Sequence, residues 1–130
     1  MTASNPDYTI HIGDTYYAGT QTEMANNLLN IWPKGTSGSF AIPGNHEMYC
    51  GDNFYNAILP TLCPLQNGVS YFALQNDNWL IICLDSAYYA TGDYYMDGSI
   101  MDTQSAGAQV SWLLNILTNA GSRKIIIISH

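Results

Sequence analysis

In the run Ser39-Phe40-Ala41-Ile42-Pro43-Gly44-Asn45-His46-Glu47, a short apolar segment leads through a glycine into three polar side chains. The apolar segment predicts a buried strand. Gly44 allows a sharp turn after that strand, because glycine has no Cβ to clash with the backbone. Open α/β sheets place their ligands beyond the C-terminal ends of strands. We therefore expect Asn45, His46 and Glu47 to lie in a ligand-binding or catalytic site.

A similar pattern occurs earlier in the chain, where Tyr8–Ile12 is followed by Gly13 and Asp14. Apolar residues at helical spacing between the two runs predict a helix over residues 22–31. The resulting strand–helix–strand unit predicts two parallel strands joined by a right-handed crossover. Asp14 and Asn45 should then emerge at the same edge of the sheet, which is the geometry that a shared metal ion requires.

The composition limits the classes of protein to which the chain can belong. It has 130 residues, 47% of them hydrophobic and 10% charged, with a net charge of −7. This length suits one globular domain, and an acidic chain with three basic residues lacks the basic surface of a nucleic-acid binder. No apolar run has the length of a membrane span. Residues 1–6 lack the features of a signal peptide, and the cellular location stays open.

The remaining chain predicts further α/β structure. We expect a long loop over 48–70 with one helical turn at 54–59, a hairpin of strands over 70–75 and 79–84, a loop over 87–102, a helix over 105–119 and a buried strand over 124–130. The loop over 87–102 is acidic and aromatic, so it is either a solvated crossover or one wall of a substrate cleft. Asp85 follows a predicted strand and is expected to cap a turn, whereas His11 lies within a strand and is expected to be packed.

The three cysteines do not form a zinc motif, because none of them belongs to a C-x-x-C pair. Cys83 lies within a predicted strand and is expected to be a buried thiol. Cys50 and Cys63 bracket the predicted loop, and they could form a disulfide if the protein is exported. The sequence leaves that pairing open.

The order of these motifs resembles that of the calcineurin-like metallophosphoesterases, and most closely the purple acid phosphatases. Gly13-Asp14 matches the GD motif of that family, and Tyr17 follows the aspartate at the spacing of the purple branch. Asn45, His46 and Glu47 match the GNH motif and its following acid. His130 comes at the end of a strand after a helix, where the family has a metal-binding histidine.

The resemblance implies an α/β fold in which two mixed sheets pack face to face between helices, with the site at their joint edge. It covers nearly all of the 130 residues, which correspond to the central part of a single metallophosphoesterase domain. The family's opening D-x-H motif and closing G-H-x-H motif do not occur in the sequence. We therefore expect a partial β-sandwich, incomplete at both ends, and little activity from this chain alone.

The resemblance also implies two metal ions, iron with zinc or manganese. Asp14 is expected to bridge them, because a carboxylate has two oxygens to share between two cations. Asn45 and His130 would bind one ion together with Asp14. Tyr17 would bind the other ion as a phenolate on ferric iron, although a surface tyrosine is equally expected in a chain with ten tyrosines.

The implied reaction is hydrolysis of a small phosphoester. His46 would protonate the leaving group or stabilise charge on the phosphoryl oxygens, and Glu47 would hold the His46 ring in one tautomer. Monoesters, diesters, nucleotides and phosphoproteins all remain open as substrates, and so does the oligomeric state. The alternative is a non-catalytic α/β fragment or interaction module that lacks a full metal site.

Overall fold

A computed structural model describes residues 4–51, 53–87 and 106–130 and has an α/β architecture. Its strands are β1 Tyr8–His11, β2 Gly38–Ala41, β3 Phe72–Gln75, β4 Trp79–Cys83 and β5 Lys124–Ile128. Its α-helices are α1 Gln21–Met24, α2 Leu59–Leu62 and α3 Ala106–Thr118. The predicted loop over 87–102 falls almost entirely on residues 88–105, outside the described ranges.

The first sheet confirms the predicted strand–helix–strand unit. Strands β1 and β2 pair in parallel, with Tyr8 opposite Gly38. Helix α1 begins at a capping box in which Thr20 and Glu23 bond each other's backbone N–H groups. It continues as a π-helical segment, Ala25–Leu29, and ends before Ile31, which is exposed.

The second sheet contains the predicted hairpin. Strands β3 and β4 are antiparallel, and β4 pairs in parallel with β5. The Asn76 side chain accepts the N–H groups of Asn78 and Trp79, which stabilises the hairpin turn. Helix α3 leads into β5 through Gly121, whose φ of +63° is the left-handed conformation expected after a helix C-terminus.

The two sheets pack face to face through an apolar layer. The Phe40 ring of β2 stacks on the Phe72 ring of β3 with centroids 4.9 Å apart, and Ile42 and Cys83 are buried in the same layer. Outside the first sheet, Met24 and Leu28 pack with Ala41. Outside the second sheet, α3 covers the alternate residues of β4. The described layers are therefore helix, sheet, sheet and helix.

The helical turn predicted at 54–59 is confirmed, but the prediction that the rest of 48–70 is a loop is wrong for the residues that extend this helix. Residues Phe54–Ile58 are π-helical, α2 follows directly, and Pro64–Gln66 form a 3-10 turn. The buried residues of this region are Phe54, Ile58, Leu59, Leu62 and Cys63. Their spacing places them on one helical face, but the many Tyr, Asn and Pro residues between them obscure that period. Pro60 lies where the π-helical segment passes into α2.

The prediction that β5 is a buried strand is also wrong. Ile125, Ile126 and Ile127 are 43%, 41% and 58% exposed. Among the described residues, β5 pairs on one edge only, with β4. The α3 side chains pack on Leu80 and Ile82 of β4, so they leave β5 largely uncovered.

All three thiols are free in this structure. Cys50 is exposed, whereas Cys63 and Cys83 are buried as part of the core. Burial raises the pKa of both buried thiols to about 12. Within the described ranges, none of the helices combines the length and apolar character needed to cross a membrane.

Candidate functional site

Side chains from three strand ends meet at one edge of the molecule. Asp14 follows β1, His46 follows β2 and His130 follows β5. The Asp14 Oδ2 atom lies 3.1 Å from His130 Nε2 and 4.0 Å from His46 Nε2. The predicted convergence is therefore observed for Asp14 and His130, and it joins the first sheet to the second.

Two glycines let the turns after β1 and β2 approach this closely. A Cβ atom on Gly13 would lie 2.4 Å from the backbone nitrogen of Gly44. A Cβ atom on Gly44 would lie 2.3 Å from Asp14 Oδ1 and 2.8 Å from the His130 ring. A larger residue at Gly13 would therefore push the two turns apart, and one at Gly44 would displace the Asp14 and His130 side chains.

The Asp14 carboxylate is held by the backbone of the second turn. Its Oδ1 atom accepts the His46 backbone N–H at 3.1 Å. Asp14 itself has a φ of +59°, a left-handed conformation that is uncommon outside glycine, although aspartate adopts it more readily than most residues. A residue in this conformation keeps it only where surrounding contacts hold it.

Both histidine rings are oriented by backbone carbonyls. His130 Nδ1 lies 2.8 Å from the Ile12 carbonyl oxygen, and His46 Nδ1 makes a short contact with the Tyr17 carbonyl oxygen. A carbonyl oxygen only accepts, so each Nδ1 carries a proton and donates it. The Nε2 atoms of the two rings are the atoms that approach Asp14.

The Asp14 carboxylate and the His130 ring face each other directly through Oδ2 and Nε2. The separation of 3.1 Å suits a hydrogen bond, and it also suits two ligands of one metal ion.

The structure corrects the role predicted for Glu47. Its carboxylate is fully buried and accepts the Asp14 N–H at 3.0 and 3.1 Å and the Gly44 N–H at 2.6 Å. The ring nitrogen of His46 is held by Tyr17 instead. Burial raises the pKa of the Glu47 carboxyl above its usual range, while the N–H bonds from Asp14 and Gly44 oppose that shift.

The other two predicted metal ligands point to different partners. The Asn45 side-chain amide donates to the Tyr49 hydroxyl at 3.0 Å. The Tyr17 side chain is 78% exposed and lies beside the His46 ring, with centroids 5.5 Å apart. Metal coordination by Asn45 and Tyr17 stays a prediction.

The side chains that meet at this edge provide part of the ligand shell of one cation, and they do not form a complete two-metal site. Asp14 and His130 present one oxygen and one nitrogen at a suitable separation. In the part of the chain that the structure describes, no group of three or more His, Cys, Asp or Glu side chains is arranged to hold a metal ion.

Two further residues support the site without a clear sequence signal. Tyr16 is buried, and burial, followed by the charge of Glu47, raises the pKa of its hydroxyl well above the usual range. Ser86 donates to the His130 carbonyl oxygen at 3.1 Å. Tyr16 sits in a tyrosine pair and Ser86 in an ordinary turn sequence, so neither stands out in the chain.

Two predictions for neighbouring residues are confirmed. Asp85 Oδ1 accepts the Ala87 N–H at 3.0 Å, which is the predicted turn cap. His11 is 1% exposed, and its ring meets the Trp32 ring edge-on at 4.9 Å.

Comparison of the chain with protein-family models, curated proteins and solved structures finds no match.

Proposed function

We propose that this chain carries part of the active site of a metal-dependent phosphoester hydrolase, on a partial metallophosphoesterase-type β-sandwich. Two kinds of support are independent of each other. The GD and GNHE motifs and His130 occur in the family's order along the sequence. Their side chains, which are 32 to 116 residues apart, lie around one carboxylate oxygen.

The observation that carries the proposal is the arrangement around Asp14 Oδ2. Two imidazole Nε2 atoms approach this oxygen, and both rings use Nδ1 to donate to a backbone carbonyl. A histidine that ligates a metal typically donates its other ring N–H in this way, because the bond fixes the tautomer and the ring orientation. The Asp14 and His130 side chains are about 26% and 31% exposed, so the site is open to solvent.

Each residue has a distinct role in this proposal. Asp14 and His130 would hold the cation, and Asn45 and Tyr17 are the further ligands that the motifs suggest. A bound pair of metal ions, with iron and zinc or manganese as the favoured identities, would polarise the phosphoryl group and lower the pKa of a water molecule. His46 would carry a proton on Nε2 at the edge of the site and act as a general acid.

Charge supports the need for metal. A phosphate ester is anionic, and the chain has a net charge of −7 with three basic residues. Lys124 is the first residue of β5 and Arg123 directly precedes it, and the strand runs from there towards His130. Substrate binding at Asp14 would therefore depend on cations supplied from solution.

A non-catalytic α/β module is the second candidate function. It is favoured by the Asn45 amide, which bonds to Tyr49, and by the absence of a three-ligand group within the described ranges. In this alternative, the Asp14–His130 contact is an ion pair that joins the two sheets.

Metal content and hydrolysis measured together test the proposal. Purified chain is dialysed with Fe, Zn²⁺ or Mn²⁺, its metal content is measured by mass spectrometry, and hydrolysis of a chromogenic phosphate ester is followed. Asp14→Asn is compared with Asp77→Asn, which removes the same charge from an exposed turn. We expect wild type and Asp77→Asn to bind one ion weakly, Asp14→Asn to bind none, and turnover to stay well below about 1 s⁻¹.

Equal metal binding by Asp14→Asn and wild type would contradict the proposal. The absence of metal binding in all three proteins would favour the non-catalytic module. Two tightly bound ions with turnover of about 1 s⁻¹ or more would contradict the proposal that this chain carries only part of the metal site.

A further inference from the structure

We infer that Glu47 is a positioning residue that joins the turn after β1 to the turn after β2 and thereby sets Asp14 against His130. The joining of the turns stands on the contacts of Glu47 alone. Its consequence for metal binding rests on the proposed function.

The carboxylate of Glu47 spans two segments that are distant in sequence. Both of its oxygens accept the N–H of Asp14, 33 residues away, and Oε2 also accepts the N–H of Gly44. Glu47 is fully buried, and a buried carboxylate is stable only when hydrogen bonds replace its lost water. Separating the two turns would therefore leave this carboxylate without its partners.

The position of Asp14 follows from this contact. Glu47 holds the backbone N–H of Asp14, whose left-handed φ requires support from outside the turn. With the backbone held, the Asp14 side chain reaches both the His46 N–H and His130 Nε2. Glu47 thus acts on the site through Asp14 and does not itself meet the candidate cation position.

Tyr16 covers Glu47 within the protein. Its side chain is buried, and its hydroxyl group lies close to the Glu47 carboxylate. A buried aromatic ring at this place excludes water that would compete for the N–H groups that Glu47 accepts.

Glu23 provides a matched control because it uses the same chemistry elsewhere. Its carboxylate accepts the N–H groups of Ala18 and Thr20 at the start of α1. These contacts are local, three and five residues apart, whereas those of Glu47 join two strand ends. Glu23→Gln removes the same charge from the chain as Glu47→Gln.

The experiment compares wild type, Glu47→Gln, Glu47→Asp and Glu23→Gln. Zn²⁺ affinity is measured by calorimetry, and amide proton shifts and hydrogen exchange are measured by NMR. We expect Glu47→Gln to weaken Zn²⁺ binding by about 10–100-fold, the usual effect of losing a residue that supports a metal ligand. Glu23→Gln should leave the affinity unchanged. Glu47→Asp should be intermediate, because it keeps the charge but is one methylene shorter.

The amides of Asp14 and Gly44 give a readout that does not depend on metal. In wild type, they should be protected from exchange and shifted downfield by the carboxylate. Glu47→Gln should remove both features at these two residues and leave the amides of β4 protected. Unchanged Asp14 and Gly44 amides in Glu47→Gln would overturn the inference, and so would rapid exchange of these amides in wild type, even if the variant does not fold.

The two proposals fail in different ways. Absence of Zn²⁺ binding by wild type, with protected Asp14 and Gly44 amides, would count against the hydrolase and leave the role of Glu47 in joining the turns intact. Zn²⁺ binding that is equal in wild type and Glu47→Gln would show that Glu47 does not position the ligand.

Discussion

Strands β2 and β5 are both apolar and both lead to a histidine, but their environments differ. At the end of β2, Ala41 and Ile42 are fully buried, with helices on one side and the second sheet on the other. The Gln66 side chain also pairs with the Ala41 N–H and carbonyl at 2.7 and 2.9 Å, as a neighbouring strand would. Strand β5 has about half of each side chain from Ile125 to Ile127 in solvent. The comparison teaches that apolar sequence favours a strand, while burial depends on which elements cover it.

The largest expected effect tests this difference directly. Ile42→Ala should lower the free energy of unfolding by about 2–5 kcal/mol, because it leaves a cavity between the sheets. Ile127→Ala, the same substitution on β5, should cost less than about 1 kcal/mol because the side chain is 58% exposed. Urea unfolding of both variants measures the contrast. Equal losses would mean that β5 is covered in solution.

The buried side chain of His11 should make the stability of the protein depend on pH. It ends β1 in a buried position, and burial lowers its pKa from 6.5 to about 4. Because His11 binds a proton more readily in the unfolded chain, the free energy of unfolding should decrease as the pH falls from 6.5 to about 4. The loss should reach about 3 kcal/mol. Urea unfolding across this pH range measures it, and His11→Gln should show a smaller dependence. A curve unchanged by His11→Gln would assign the loss to other groups.

A methyl group at the turn after β2 should have a smaller but clear effect. Gly44→Ala places a Cβ atom against Asp14 and His130, and overpacking of this kind costs about 1–3 kcal/mol. Gly107→Ala in α3 is the control, since a Cβ atom there meets no atom of the described residues within 4 Å. That control should be neutral or stabilising because alanine favours helix. Thermal unfolding compares them, and a neutral Gly44→Ala would show that the turns do not need their close approach.

The smallest expected effect on stability concerns the edge of β5. Ile127→Lys should change the free energy of unfolding by less than about 0.5 kcal/mol, because the side chain is largely exposed. It should nevertheless reduce self-association, since a charge on an exposed edge strand blocks pairing with other chains. Thr118→Lys on α3 adds the same charge at an exposed site as a control. Sedimentation velocity measures the result, and equal association of the two variants would exclude β5 as the cause.

Much of the fold could be predicted because its signals are local. The parallel β1–β2 pair, the β3–β4 hairpin and α3 follow from apolar periods and turn residues within about 30 residues of each other. The helical region around Phe54 was predicted as a single turn, and its full length was missed because its apolar face is interrupted by polar and proline residues. The exposure of β5 was missed because apolar composition says nothing about which elements cover a strand.

The sequence by itself determined the candidate residues and the ends of the strands that carry them. A glycine followed by an acid or an amide after an apolar strand is a pattern of consecutive residues, so it can be read without a structure. Only the tertiary structure decided how those residues are used. The Asp14–Glu47 bond joins residues 33 apart, and the His130–Ile12 bond joins residues 118 apart. The first contact depends on how β1 and β2 pair, and the second depends on how the two sheets pack. Backbone groups take part in both contacts whatever their side chains are.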